Sequence, residues 1–314
     1  MMIGHAAAAF ALAAAAAGAL GYGRDRAVPV GLAAAGFAAV PDVDMAYAVV
    51  GLAGAGAGGS GVWGLVDGFW AGSTVTHRGA THSLVVGIAA AGIVTAAARH
   101  RTRWVAALAA IGLVAAVGAV SGPIAAATAS IFVVAGVAVA VAASSGFGLS
   151  TPAVAAAALV GMLSHPFGDV FTGEPPAVLY PFDVTLFDGR VALAADPTVN
   201  LVSVFLLELA VIWLAIVVGF RLFDSRLLPR VGTRAVVGLC FVGAFFLLQP
   251  PTLQRSYHFV FPAVGLAMVG PMTPSVLRDR SFVDAVAAAV TAIAAISLAV
   301  LAYFAVYLVY VTVL

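Results

Sequence analysis

Acidic and histidine residues are concentrated at four places in a chain that is otherwise almost solid alanine, valine, leucine and glycine. The seven residues of interest are His5, Asp42 and Asp44 in PDVD, His77 and His82 in HRGATHS, and His165 and Asp169 in HPFGD. A carboxylate beside a bilayer is costly unless it is neutralised, paired or bound to a metal. Because little arginine lies nearby to pair with them, we predict that these side chains meet around a metal ion.

Mixed imidazole and carboxylate ligands favour zinc, with manganese or iron as alternatives, whereas magnesium and calcium prefer more oxygen. Seven candidate ligands exceed the number that one tetrahedral zinc ion uses, so we expect one ion or two. Two ions would use all seven, and paired metals recur in the hydrolysis of phosphate esters. The sequence therefore predicts that metal-activated water attacks a phosphate or acyl ester, with Asp44 as a further ligand or as the general base.

Each piece of this pattern also has a simpler explanation. A lone histidine in an apolar run is usually a hydrogen-bonded packing residue, and a D-x-D after proline is usually a helix cap or a turn. A histidine four residues before an aspartate can form a local hydrogen bond and nothing more. Pro166 directly follows His165 and predicts a kink or helix junction there, because proline cannot donate a backbone hydrogen bond.

Other polar residues beside the candidate ligands suggest supporting roles. Arg78 could grip a phosphate bidentately, or it could hold one of the PDVD carboxylates in place. Thr81, Ser83 and Thr172 could orient the ligands through their hydroxyl groups. For Thr81, capping of the helix that follows is the simpler role.

Helices in a membrane must position these residues. Of the 314 residues, 63% are hydrophobic and 9% are charged, whereas a soluble domain carries about a quarter charged residues. The sequence thus predicts an all-α, polytopic membrane bundle whose partner is the lipid bilayer. No basic cluster indicates a nucleic-acid partner. About ten spanning helices are expected, at approximately 4–22, 27–41, 82–98, 104–120, 124–143, 151–165, 198–220, 235–249, 256–270 and 283–313.

The glycine-rich segment 45–76 is predicted to be re-entrant or interfacial and to return to the face that it left. In that topology one face receives eleven of the fourteen arginines, Arg278 and Arg280 among them, and is cytoplasmic by the positive-inside rule. The N-terminus and all the candidate ligands then lie on the extracytoplasmic face. A crossing at 45–76 would separate His77 from Asp42 and would invert the arginine pattern.

The motifs resemble those of the YdjM-like inner-membrane metal-dependent hydrolases. The matching elements are Gly4–His5, Pro41 to Asp44, His77 to Ser83, Ser164 to Thr172 and Tyr180–Pro181, within residues 1–185. The resemblance implies a phosphoesterase-like, metal-dependent hydrolase in a core of about six helices and the re-entrant segment. It also implies a distant similarity to the zinc-dependent phospholipase C superfamily. Residues 186–314 are then an extension of about four spanning helices.

The alternative is a membrane protein that binds a metal without catalysis, either a structural scaffold or a metal transporter. A transporter needs polar groups near the bilayer midplane, where this sequence offers only Glu208. A scaffold would hold a fully coordinated ion with no open position. The enzyme and the scaffold differ in whether a vacant coordination position faces an open cleft.

Overall fold

A computed structural model describes residues 2–57, 61–73, 77–269 and 282–313. Helices make up the regular structure of these ranges and no strand occurs within them, which confirms the predicted all-α fold. Arg278 and Arg280, two of the arginines predicted to be cytoplasmic, lie outside the described residues.

Two compact units divide the chain. The first comprises Met1–Val170 and Glu174–Arg190, and the second comprises Phe171–Gly173 and Val191–Leu314. These units are defined by packing, whereas the predicted division into a core at 1–185 and an extension at 186–314 was defined by motifs. That division therefore stays a prediction.

The first unit is built from helices rich in alanine and glycine. They are α1 (Met2–Ala19), α2 (Arg24–Ala39), α3 (Ala48–Ala57), α4 (Gly61–Ser73), α5 (Leu84–Ala97), α6 (Arg103–Val141) and α7 (Thr151–Asp169). Helices α1, α2 and α7 pack on one another, and α5 packs on α6 and α7. Small side chains at these interfaces let the helix backbones approach closely, as is usual inside membranes.

Two short turns bring helix ends together in this unit. Pro41 cannot continue the hydrogen bonding of α2, and a 3-10 turn, Pro41–Tyr47, follows that helix. A second 3-10 turn, Ala80–His82, precedes α5, and the two turns are in contact. The end of α2 therefore lies beside the start of α5.

The described part of the segment between these turns contains two helices that pack on each other. Helices α3 and α4 have 10 and 13 residues, which makes them about 15 and 20 Å long, too short to cross a bilayer. They pack through glycine, since a Cβ on Gly72 would lie 2.9 Å from the backbone nitrogen of Gly51. Asp44 before these two helices is hydrogen-bonded to His77 after them, so the chain returns to the end of the bundle that it left.

Helix α6 folds back on itself at Gly122, next to Pro123. Gly122 has the left-handed φ of 86°, and a Cβ on Gly118 would lie 3.0 Å from the Cβ of Ala126. Residues eight positions apart in a straight helix are about 12 Å apart. The two segments correspond to the helices predicted at 104–120 and 124–143.

The second unit is helical as well. It contains α8 (Pro197–Leu222), a 3-10 helix (Thr233–Gly243) continued by α9 (Ala244–Leu247), α10 (Tyr257–Val269) and α11 (Phe282–Val313). Asp196 caps α8 by accepting hydrogen bonds from the backbone of Thr198 and Val199. Aromatic contacts of Phe241, Phe259 and Tyr303 fill its core.

The predicted number of spanning helices is wrong. Among the described residues, four stretches are long and apolar enough to cross a membrane by length and composition, namely Arg24–Gly56, His100–Gly146, Pro197–Leu222 and Val283–Val313. The first of these includes the turn after α2, and the second includes the reversal at Gly122. Other apolar helices have only 10–17 residues, whereas a span needs about 20. The apolar runs do form helices, but many of them end at turns before they reach the thickness of a bilayer.

The contact between α2 and α7 gives a stability prediction. A Cβ on Gly161 would lie 2.6 Å from the Cβ of Phe37 and 2.7 Å from the backbone nitrogen of Ala38, so Gly161→Ala should destabilise the protein by about 1–3 kcal/mol. The matched control is Gly92→Ala in α5, where nothing lies within 4 Å. Thermal unfolding in detergent measures both variants, and an equal melting temperature for the two would contradict the close packing.

Candidate metal centre

The helix ends of the first unit carry all seven predicted ligands to one place. They are His5 on α1, Asp42 and Asp44 on the turn after α2, His77 and His82 ahead of α5, and His165 and Asp169 on α7. All but His77 are buried, with no more than 5% of their surface exposed. Helix α7 continues through Pro166 to Asp169, rather than ending at a junction, and this places His165 and Asp169 one helical turn apart.

A backbone carbonyl fixes the tautomer of His165. Its Nδ1 lies 2.6 Å from the carbonyl oxygen of Ala38. Because a carbonyl can only accept, Nδ1 carries the hydrogen and Nε2 keeps a lone pair. A metal-binding histidine is usually held in this way by the nitrogen that does not bind the metal.

A chain of two hydrogen bonds orients His82 similarly. The hydroxyl of Thr81 donates to Asp44 Oδ2 over 2.7 Å, and the hydroxyl oxygen of Thr81 lies 3.0 Å from Nδ1 of His82. Since the only hydroxyl hydrogen is used on Asp44, the Thr81 oxygen accepts from Nδ1–H. The Nε2 atom of His82 is thus directed to the centre, 3.1 Å from Nε2 of His165.

Negative charge around His82 favours a proton or a metal ion at a nitrogen of its imidazole ring. Burial by itself lowers the pKa of His82, but the carboxylates of Asp169, Asp42 and Asp44 outweigh burial and raise this pKa well above its ordinary value. A proton and a metal ion would relieve the same charge, so they compete for this side chain.

Four ligand atoms lie close together where the rings of His82 and His165 meet. The Nε2 atom of His82 lies 3.7 Å from Asp42 Oδ1 and 3.1 Å from Asp169 Oδ2. The Nε2 atom of His165 lies 3.5 Å from each of these oxygens. Zinc bonds of about 2.0–2.2 Å place tetrahedral ligands about 3.3–3.6 Å from one another. The spacing therefore fits an ion of this size.

The carboxylates of this cluster lack sufficient partners of their own. Among the described residues no hydrogen bond of good geometry reaches the buried oxygens Asp42 Oδ2 and Asp169 Oδ2, although His82 Nε2 lies 3.1 Å from the latter. Leaving a buried oxygen unpaired costs on the order of 1–3 kcal/mol, and more when it is charged. A divalent cation would remove that cost, so the charge of the cluster fits a metal as well as its geometry does.

Together with His5 and His77, these four side chains also form two groups of three possible ligands. One group is His5, His165 and Asp169, and the other is Asp42, His77 and His82. Within each group the possible ligand atoms lie within 4.8 Å of one another. The groups adjoin where the rings of His82 and His165 meet. The cluster could therefore hold one central ion or two neighbouring ions.

Both carboxylate oxygens of Asp44 are hydrogen-bonded to residues at the edge of the cluster. Its Oδ1 lies 2.9 Å from Nδ1 of His77, and its Oδ2 accepts from Thr81 and, at 3.4 Å, from the backbone N–H of Arg78. These contacts orient His77 and Thr81. The roles predicted for Asp44, as a ligand or a general base, stay predictions.

Arg78 ties Asp169 to the loop that follows it. Its Nη1 donates to the carbonyl oxygens of Asp169, over 3.1 Å, and of Glu174, and its Nη2 lies 3.4 Å from Asp169 Oδ1. Arg78 has a φ of 66°, a left-handed conformation that costs a non-glycine residue roughly 1 kcal/mol. The guanidinium thus reaches Asp169, which is not one of the PDVD carboxylates predicted as its partners. The alternative prediction, that Arg78 grips a phosphate, stays a prediction.

The predicted cap of α5 is wrong, because Ser83 caps this helix and Thr81 does not. The hydroxyl oxygen of Ser83 accepts from the backbone N–H groups of Val85 and Val86. Its hydrogen goes to the carbonyl oxygen of Tyr180 over 2.6 Å. Ser83 therefore joins the loop after α7 to the start of α5.

Thr172, whose hydroxyl was also predicted to orient a ligand, belongs to the second unit. Its role in orienting ligands stays a prediction.

Sequence reasoning missed the groups that act through the backbone. The carbonyl oxygens of Ala38 and Glu174 hold His165 and Arg78, and any residue type could supply them. Gly168 was missed too, although a glycine one residue before a candidate ligand is a usable signal. A Cβ there would lie 2.5 Å from Nδ1 of His5.

Fold and site together define an all-α membrane protein with a buried histidine–aspartate cluster that could hold a metal. The chain belongs to the YdjM inner membrane protein family, whose model matches residues 1–249. The match confirms the resemblance to the YdjM family and continues past residue 185 into the second unit. The hydrolase activity and the distant similarity to zinc-dependent phospholipase C stay predictions. Comparisons with curated proteins and with solved structures find no match.

Gly168 gives a prediction for the metal centre. Gly168→Ala should displace the ring of His5 and weaken zinc binding about 10–100-fold, the range seen when the support of a metal ligand is lost. The measurement is competition with a chelator, followed by metal analysis. Gly112→Ala in α6, where nothing lies within 4 Å, should bind zinc like the parent protein. Unchanged binding by Gly168→Ala would show that His5 is not needed for the ion.

Proposed function

We propose that this protein is a membrane-embedded, metal-dependent hydrolase of phosphate esters, including the headgroups of lipids. The observation that carries the proposal is the convergence of His82 and His165 on Asp42 and Asp169. The two Nε2 atoms lie 3.1 Å apart, and each lies 3.1–3.7 Å from an oxygen of both aspartates. Zinc is the ion that this mixture of imidazole and carboxylate favours, with manganese or iron as alternatives. Such an ion, when bound, lowers the pKa of a coordinated water and stabilises charge on phosphate oxygens.

Two ions support hydrolysis better than one. Each three-residue group would leave coordination positions open for water and substrate, as catalytic sites do. His77 and Arg78 are the most accessible of the polar side chains here, with 15% and 12% of each exposed. They mark the side from which a phosphate would approach.

The surrounding residues would position the ligands. Asp44 orients His77, Thr81 relays a hydrogen bond between Asp44 and His82, and the Ala38 carbonyl orients His165. Contacts of this kind hold ring nitrogens in one tautomer and make them better ligands. We include in this proposal a distant similarity to the zinc-dependent phospholipase C superfamily, whose metal sites also use histidine and aspartate side chains carried on helices.

We also propose that the site lies on the extracytoplasmic face. The arginine distribution of the sequence supports this orientation through the positive-inside rule. Hydrolysis would then act on lipid or phosphoester groups outside the cytoplasm.

A structural scaffold is the second candidate function, and the short distances from the Nε2 atoms of His82 and His165 to both aspartates favour it. One ion held by His82, His165, Asp42 and Asp169 would have no open position, which is typical of structural zinc. The number of ions bound therefore separates the two functions.

Metal content and hydrolysis, measured on the same purified protein, test the proposal. We expect two ions per chain and cleavage of a phosphodiester or phospholipid. Asp42→Asn and His82→Ala should lower kcat/KM by at least about 100-fold, since each removes a ligand that others cannot replace. Asp183→Asn, at an exposed position of the same unit, is the control. One tightly held ion, with no hydrolysis across a panel of phosphoesters, would establish the scaffold.

Arg78 separates binding of substrate from support of the metal. Because its guanidinium contacts Asp169, Arg78→Gln should lower metal retention and kcat, by roughly 10–100-fold. The measurements are metal content after dialysis and steady-state kinetics. A higher KM with unchanged kcat and metal content would instead assign Arg78 to the substrate phosphate.

A further inference from the structure

A cavity of about 500 Å³ lies in the second unit, between the end of α9 and the start of α10. Its size is within the range of small-molecule sites, about 300–1,000 Å³. The polar lining comes from Gln249, Thr252, Arg255 and His258, and none of the described residues that line it is acidic. The remaining lining residues are leucine, proline and Phe259.

The polar lining suits an anion. Arg255 is exposed and ends a 3-10 turn, Leu253–Arg255, just ahead of α10. The positive end of the α10 dipole lies at Tyr257, beside this arginine. A guanidinium presents paired donors that match the oxygens of a phosphate. The phosphate of a lipid headgroup carries such oxygens.

The apolar lining continues onto a surface suited to acyl chains. Leu247 lines the cavity and is 84% exposed. Phe246, its neighbour in α9, is 77% exposed. In an inner membrane protein such large exposed side chains are solvated by lipid. The cavity therefore offers a cationic group and an apolar exit to one and the same ligand.

We propose that this cavity binds a glycerophospholipid, with its phosphate on Arg255 and its acyl chains along Leu247 and Phe246. A phospholipid and a free phosphate ester both carry an anionic phosphate that Arg255 could bind. The apolar surface next to the cavity favours the phospholipid, because only the lipid has acyl chains. The inference concerns the second unit alone and does not rest on the hydrolase function proposed above.

Binding to the full-length, delipidated protein in detergent tests the proposal, with native mass spectrometry as the readout. The probes are dioleoylphosphatidylglycerol, dioleoylglycerol, which lacks phosphate, and soluble glycerol phosphate. We expect the phospholipid to bind most tightly. Arg255→Gln should weaken its binding roughly tenfold, the effect of losing a charge-assisted hydrogen bond, and Arg255→Lys should weaken it less.

Arg226→Gln is the matched control, because Arg226 is exposed in the same unit and does not line the cavity. An equal loss of phospholipid binding in this control would overturn the proposal, as would equal binding of dioleoylglycerol. Glycerol phosphate binding as tightly as the lipid would overturn the assignment of the acyl chains. If Arg255→Gln failed to fold, the comparison of the three probes on the parent protein would still decide.

Discussion

Negative charge buried at one end of the helices in the first unit constrains much of its structure. Among the described residues no hydrogen bond of good geometry reaches one buried oxygen of Asp42 and one of Asp169, while two imidazole nitrogens face the same point. Without a cation these groups repel one another or take up a proton. The turns, caps and helix ends around these carboxylates and imidazoles hold them close together.

Small residues make the arrangement possible. Gly161 lets α2 and α7 approach closely, which brings the carbonyl of Ala38 within 2.6 Å of His165. Gly168 leaves the space into which the ring of His5 fits. The abundance of alanine and glycine is therefore more than a membrane composition, because larger side chains would separate the helices that carry the ligands.

The site was more predictable from the sequence than the path of the chain through the membrane. Charged and imidazole groups in an apolar chain are few and costly, so PDVD, HRGATHS and HPFGD identified residues that do meet. Helix lengths were harder, since an apolar run shows where a helix can form but not where a turn ends it. The break at Gly122 had a signal in its Gly–Pro pair, whereas the backbone carbonyls of Ala38 and Glu174 had none. Thr81 and Ser83 are both plausible caps by residue type, and only the position of Asp44 explains why Thr81 turns away from the helix.

The number of ions decides what the polar cluster can do. If His82, His165, Asp42 and Asp169 held one tetrahedral ion, they would fill every ligand position and leave none for a substrate. Two ions would draw His5 and His77 into coordination, and both are already held by carboxylates, by Asp169 and Asp44 respectively. A scaffold with one ion would need neither histidine, yet both occupy positions where an apolar side chain would be less costly. A second ion would account for these two further imidazoles, each of which contacts a carboxylate, whereas a single structural ion would not.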